Sequence, residues 1–154
     1  MADAIIDRLN PADLSTITHL YNQMFRPEWS EKEMQRRLRG RHNILVQVAR
    51  IDSDAVGFYV GMELKPTVHF AWMCGVVPEL RRTGIATQLM LAAEDWARTE
   101  GYHIIRFECD NKIRPFLQFG IAGGYDIVGI RWDSERMGNL VIFEKLLEEQ
   151  NLES

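Results

Sequence analysis

The apolar positions of the chain change period several times, and each change marks an element. Ala4 to Leu9 is a short apolar run of strand character, and Asn10, Pro11 and Asp13 then supply a capping residue, a first-turn proline and a first-turn acid. A helix is expected to start there. Leu14, Ile17, Tyr21, Met24 and Phe25 recur at helical spacing, and after Pro27 the capping box Ser30-x-x-Glu33 opens a second helix that should end near Gly40. Arg36, Arg37 and Arg39, followed by Arg41, read as a solvated face paired with Glu31 and Glu33, with contact to an anionic ligand as the alternative.

From Asn43 the period falls to two. Ile44, Val46 and Val48 alternate with Leu45, Gln47 and Ala49; Val56 to Leu64 follows the turn at Asp52-Ser53-Asp54, and Val68 to Val77 follows the turn at Lys65-Pro66-Thr67. The three runs predict an antiparallel meander. Ile85, Leu89, Ala92, Ala93 and Trp96 then place one apolar stripe on a helix from about Thr83 to Thr99, and His103 to Asp110 resumes as a strand, the arrangement of a parallel crossover. Lys112 to Ala122 is helical in pattern, Gly123-Gly124 ends it, and Tyr125 to Trp132 and Leu140 to Leu146 read as a closing hairpin.

Composition narrows the class. A chain of 154 residues, 46% hydrophobic and 26% charged, fits one globular domain, taken as 1–148 with a polar tail at 149–154. The net charge of -4 gives no cationic excess for a nucleic-acid backbone. Two cysteines, Cys74 and Cys109, both in strand-like runs, fit a reducing cytoplasm rather than a disulfide framework. No signal-like start and no apolar run long enough for a bilayer is present, so no membrane role is expected. His19, His42, His69 and His103 lack ligand spacing, so no metal is expected either.

The segment Val76-Val77-Pro78-Glu79-Leu80-Arg81-Arg82-Thr83-Gly84-Ile85-Ala86 runs from strand through loop into helix. A helix start offers unpaired amides and a positive dipole end, Gly84 permits close approach, and Arg81 and Arg82 add charge, so the segment suits an anion such as a phosphate. A plain helix start with two surface arginines is the alternative. Neither a Gly-x-Gly-x-x-Gly nor a Gly-Lys-Ser/Thr motif occurs, which removes the dinucleotide fold and the P-loop.

Arg81-x-x-Gly84-x-Ala86, preceded by Val76-Val77-Pro78, resembles the acyl-CoA motif of the GNAT superfamily of N-acyltransferases, and the order of elements resembles that fold over nearly the whole chain. The resemblance implies an α+β fold with a central mixed, mostly antiparallel sheet of about seven strands and about four helices on its faces. It implies that Arg81, Arg82, Thr83, Gly84, Ile85, Ala86 and Thr87 hold the pyrophosphate of acetyl-CoA, and that Val76 and Val77 pair with its pantetheine arm as an added strand would. Asn111 matches the asparagine that contacts pantetheine, with helix capping as its other role. Phe116 either packs on the cofactor arm or belongs to the core. The activity implied is transfer of an acetyl group to a primary amine, on a small molecule or a protein, by direct attack in a ternary complex. An acyl-CoA-binding module without turnover, a sensor or interaction protein, is the alternative. Self-association as a homodimer is expected from the resemblance and from the apolar closing strand Leu140 to Leu146.

The sequence departs from the family at the tyrosine that protonates the leaving thiolate. That position falls at Gly120, next to Gln118 and Phe119, and Gly124-Tyr125 replaces the usual Gly-Phe pair. Tyr125 is therefore a candidate for a displaced acid. The acceptor ammonium, with a pKa near 10.4, must lose a proton before attack. Glu108 and Asp110, on one side of the strand that should splay beside the thioester, are the candidate bases, and solvated or salt-bridged carboxylates the alternative. Trp72, Tyr59 and Glu63 are candidates for the acceptor wall, while His69 lies too far from Val76 to reach the reacting group.

Overall fold

The computed structural model describes residues 3–147. Its elements are β1 (Ile5–Leu9), α1 (Ser15–Met24), α2 (Glu31–Leu38), β2 (Leu45–Ile51), β3 (Asp54–Lys65), β4 (Val68–Val76), a short 3-10 turn (Pro78–Leu80), α3 (Ile85–Thr99), β5 (Ile104–Asp110), α4 (Arg114–Ala122), β6 (Asp126–Asp133) and β7 (Gly138–Leu146). The strands form one seven-stranded sheet in the order β1-β2-β3-β4-β5-β7-β6, antiparallel except for β4 and β5. The expected strand and helix order is present, and the polar tail at 149–154 lies outside the described residues.

Three helices start later than the apolar period implies, each for a local reason. Asn10 Oδ1 accepts the Ala12 amide and Asp13 Oδ1 accepts the Ser15 amide, so those residues are used in turns and α1 begins at Ser15. Asp110 Oδ1 accepts the Lys112 amide at 2.8 Å, which delays α4 to Arg114. Gly84 is left-handed at φ 91°, which delays α3 to Ile85. The capping box of α2 forms as expected, Ser30 Oγ accepting the Glu33 amide at 3.1 Å.

Two hydrophobic layers sandwich the sheet. Ile85, Leu89, Ala93 and Ala97 of α3 pack with Tyr59, Ala71, Ile105, Phe107 and Phe143 on one face. On the other, Leu14, Ile17, Leu20, Met34 and Leu38 of the α1–α2 layer pack with Val46, Val48, Phe58, Val60 and Met62. The closing strand β7 is an interior strand between β5 and β6, so it has no free edge through which a second copy could pair.

The feature that positions the site is a break between β4 and β5. They pair in parallel only from Val68–Ile104 to Ala71–Phe107; beyond that β4 continues against β3 to Val76 and β5 continues against β7 to Asp110. The register of β4 against β3 slips at the same point, with Val60 opposite Met73 but Gly61 opposite Ala71, so Trp72 is the extra residue of a bulge. A bulge bends its strand and increases its twist, which fits the separation of β4 from β5.

Candidate active site

The end of β4 presents an open edge toward the gap. The Val77 amide donates to Val56 O at 2.9 Å, so it is committed to β3. Antiparallel pairing alternates the direction of the backbone groups, which turns the amides of Val76 and Cys74 away from β3 and toward the gap. Of the two expected pantetheine partners, Val76 thus has the available N–H, and Cys74, which sequence reasoning left aside, joins it through its backbone. Its side chain is inert: burial pushes the Cys74 thiol up to about 12 and the Cys109 thiol up to about 11.

The loop after β4 is fixed by its own hydrogen bonds. Arg81 Nε donates to Val76 O at 3.1 Å, and Thr83 Oγ1 donates to Leu80 O. Arg82 takes φ +66°, a region that costs a non-glycine residue free energy, and Gly84 follows at φ 91°. At the start of α3 no side chain caps the helix and no acidic residue occupies its first turn, so the amides around Ile85, Ala86 and Thr87 keep their capacity for an anion. Arg81 is thereby both a loop brace and a local positive charge.

Across the gap, neither Asn111 nor Phe116 takes the purely structural role that was its alternative. The residue at the cap of α4 is Ile113, with no side-chain capping bond, so Asn111 does not cap the helix. Phe116 is 41% exposed and lies outside the core clusters. Both stand on the segment leaving β5, beside the gap.

The carboxylates of β5 share the face that alternation predicts. Glu108 lies opposite Ile142 and Asp110 opposite Leu140, while Cys109 is buried in the α3-side core. Glu108 Oε1 receives Arg131 Nε at 2.8 Å and Arg131 Nη2 at 2.7 Å, a salt bridge reaching over from β6 that raises the Arg131 pKa. That partner was not legible in the sequence, because a register with a shift between Ile127 and Gly129 decides which β6 side chain meets Glu108. Asp110 has its Oδ1 on the Lys112 amide.

Tyr125 stands elsewhere. Its hydroxyl donates to Glu94 Oε2 at 2.7 Å, it is only 5% exposed, and burial first, then the Glu94 charge, pushes its pKa up. Lys145 Nζ binds the other Glu94 oxygen at 2.9 Å. Tyr125 therefore belongs to a buried polar network between α3 and β7, holding its proton in a hydrogen bond to the Glu94 carboxylate, which speaks against the expectation of a displaced acid. Gly120 also has a packing reason: a Cβ there would lie 2.8 Å from Phe107 Cζ and from Phe143 Cε1. A side chain at this position, where the resemblance expects the tyrosine, would require those rings to shift.

The expected acceptor wall is reduced to Trp72. Tyr59 is fully buried and bonded at 2.6 Å to Nε2 of the equally buried His69, and Glu63 accepts the Tyr102 hydroxyl. Trp72 instead stacks on Trp29, which stacks on Tyr21, and Arg37 lies 4.4 Å above the Trp29 ring while pairing with Glu135 of the β6–β7 loop at 2.8 Å. These residues form an aromatic wall on the α1–α2 side of the sheet. Among the described residues no group of acidic, His and Cys side chains could hold a metal ion, and no helix is long and apolar enough to cross a membrane.

A model of the acetyltransferase (GNAT) family matches residues 14–120. No curated protein sequence matches the chain. Among solved structures, the ribosomal-protein-S18-alanine N-acetyltransferase from Escherichia coli is 16% identical with a TM-score of 0.80, covering 97% of this chain and 98% of its own. Ard1 from Thermoplasma volcanium is 18% identical with a TM-score of 0.79, covering 95% and 99%. A GNAT family acetyltransferase from Elizabethkingia anophelis with acetyl-CoA bound is 13% identical with a TM-score of 0.77, covering 93% and 97%.

Proposed function

Because the chain belongs to the acetyltransferase (GNAT) family, we propose that it moves the acetyl group of acetyl-CoA to a primary amine, of a small molecule or a protein, by direct attack in a ternary complex. The observation that carries this reading is the open edge of β4 beside an uncapped helix start, a strand-like slot leading to an anion site. The residues present fit the cosubstrate, which supplies an activated thioester. Ile85, Ala86, Thr87 and Gly84 with Arg81 and Arg82 hold the pyrophosphate, and Thr83 keeps the loop in shape. Val76 and Cys74 bind the amide-bearing arm by their backbone, Val77 anchors that edge to β3, and Asn111 and Phe116 flank the arm from the other side of the gap.

On the acceptor side Glu108 and Asp110 receive the proton of the incoming ammonium, directly or through water. Arg131 fixes the Glu108 carboxylate in place with two hydrogen bonds to one oxygen, which leaves its other oxygen for the acceptor amine. A thiol has an unperturbed pKa near 8.5, so the departing sulfur needs little acid, and none is provided at Gly120. The same reading places the protein in a reducing cytoplasm, with Cys74 and Cys109 as free thiols, and lets it act as a homodimer.

Release of free thiol from acetyl-CoA across a panel of polyamines, amino acids, aminoglycosides and peptides tests the assignment. One or more amines should stimulate release, with a rate that rises toward alkaline pH, and Glu108→Gln or Asp110→Asn should depress the neutral rate more than the alkaline one. Tight CoA binding with no amine-dependent release would make the chain a binding module.

A further inference from the structure

The two arms of the β4–β5 fork carry different chemistry on the α1–α2 face. The last parallel rung joins Ala71 to Phe107, both packed in the α3-side core, so Trp72 and Glu108 are the first residues past it, one on each arm. Trp72 packs with the α1–α2 layer, and alternation along β5 turns Glu108 to the same side. The Glu108 side chain is only 9% exposed, and both of its bonds to Arg131 fall on Oε1. A mostly buried carboxylate with an oxygen to spare, across the fork from an indole, suits a single ammonium: the carboxylate supplies the counter-charge and the ring a compatible face.

What lies beyond that ammonium is apolar. The bulge brings Met73 to the same side as Trp72, and both are half-buried. Further along β4 the end of α1 closes down, since a Cβ on Gly75 would meet Met24 Sδ at 2.9 Å and Phe25 Cε2 at 3.2 Å. The surface left to an acceptor stem on this arm is therefore Trp72 and Met73, with Trp29 stacked behind Trp72. Places for a second charged group are already taken. Tyr21 stacks on Trp29 and Arg37 lies 4.4 Å above the Trp29 ring, so that ring already holds a cation. Arg37 is shared between Glu33 and Glu135, Arg106 is held by Glu144 and Arg131 by Glu108, so an acceptor carboxylate would meet no unpaired guanidinium among these three.

Resting on the acetyl-transfer reading for the reaction itself, we propose that the acceptor is a monoamine with a flat, apolar stem, an aryl-alkyl amine. Its ammonium is taken by Glu108 and its ring lies against Trp72, which makes Trp72 the residue that sets acceptor specificity. An apolar ring gains by leaving water for Trp72 and Met73 and needs no counter-charge. The second ammonium of a diamine, or the carboxylate of an amino acid, would have to be desolvated there without a free partner.

Thiol release from acetyl-CoA, compared for phenethylamine, ethylamine, putrescine, phenylalanine and an alanine-led peptide, tests the class of acceptor. Binding is read separately, by calorimetry of phenethylamine into protein saturated with CoA. The kcat/KM for phenethylamine should exceed that of each other amine by roughly 10-fold or more, mostly through KM. Trp72→Ala should lower the preference for phenethylamine over ethylamine by roughly 10-fold, and Trp72→Phe should keep most of it. A tryptophan with a merely structural role would instead depress both amines alike. Trp72→Leu, apolar but without a flat face, gives the same comparison should the alanine variant fail to fold. An equal or higher kcat/KM for any of the other amines, or a preference that loss of the indole leaves unchanged, would overturn the proposal while acetyl transfer stands. Phenethylamine binding that Trp72→Ala or Trp72→Leu weakens, with no thiol release from any amine, would support the site and refute the turnover; neither binding nor release would overturn both.

Discussion

Gly84 and Gly101 offer a controlled test of the phosphate site, because they share a backbone strain and differ in position. Gly84 opens α3 at φ 91° and Gly101 follows its last turn at φ 93°, where a Cβ would meet nothing within 4 Å. Both positions disfavour a β-branched side chain for the same reason: the left-handed region costs an L-residue roughly 1–2 kcal/mol. In a domain of this size that lowers Tm by roughly 2–8 °C, so Gly84→Val and Gly101→Val should be destabilised to a similar extent. Only Gly84→Val can escape its strain by rotating the first amides of α3 out of line, and those amides are the proposed pyrophosphate donors. Titration calorimetry with CoA should show a Kd at least ~10-fold weaker for Gly84→Val, a loss of about 1.4 kcal/mol, and a Kd near wild type for Gly101→Val. Equal affinities for the two variants, with equal loss of Tm, would refute the placement and leave Gly84 as an ordinary helix start.

Further outcomes follow from buried groups. Tyr125→Phe should cost about 1–3 kcal/mol in urea unfolding, because Glu94 Oε2 loses its donor, and should leave the pH–rate profile unchanged; loss of a descending alkaline limb would return the hydroxyl to the reaction. His69, fully buried, has its pKa lowered to about 4 by desolvation. The unfolded chain then binds the extra proton, so this contribution is complete above pH ~6.5 and is lost as pH falls toward 4, roughly 3 kcal/mol in all. Unfolding of His69→Gln should fall less steeply over that window, and parallel curves for the two proteins would exclude His69 as the cause. Gly120→Ala should destabilise by about 1–3 kcal/mol despite its better helix propensity, since its Cβ meets Phe107 and Phe143 at 2.8 Å; an unchanged urea midpoint would mean that the aromatic pair yields freely.

Elements with a strong apolar period were legible from the sequence, and so was the strand–loop–helix segment proposed for the pyrophosphate, because Gly84 and the arginines sit between a strand and a helix whose patterns are unambiguous. What was not legible depended on register. The Glu108–Arg131 pair joins residues on β5 and β6 that meet only because both flank β7, and the irregularity at Val128 decides the face. Likewise, which of Val76 and Val77 offers an amide to the gap follows from the Val77–Val56 bond and the phase of the ladder, and alternation of residue types carries no record of that phase. Asn111 and Tyr125 were ambiguous for another reason. Each residue type serves two ordinary roles, and only the geometry of its neighbours bears on them: Ile113 takes the helix start from Asn111, and Glu94 accepts the hydrogen bond of the Tyr125 hydroxyl.

The missing tyrosine and the arrangement of carboxylates are two sides of one packing choice. Phe107 of β5 and Phe143 of β7 stack with ring centroids 4.8 Å apart and planes within 9°, and α4 closes over them through Gly120. A tyrosine at 120 would force this aromatic stack to shift, and with glycine there the helix presents bare backbone to the core. β5 continues past the stack and brings Glu108 and Asp110 to its opposite face, where Arg131 holds the first and the Lys112 amide holds the second. In the proposed reading, titratable groups are thereby withdrawn from the leaving-group side and fixed on the side of the acceptor amine. That asymmetry matches the chemistry: with pKa values near 8.5 for a thiol and 10.4 for an alkylammonium, at neutral pH it is the amine, not the sulfur, that needs help with its proton.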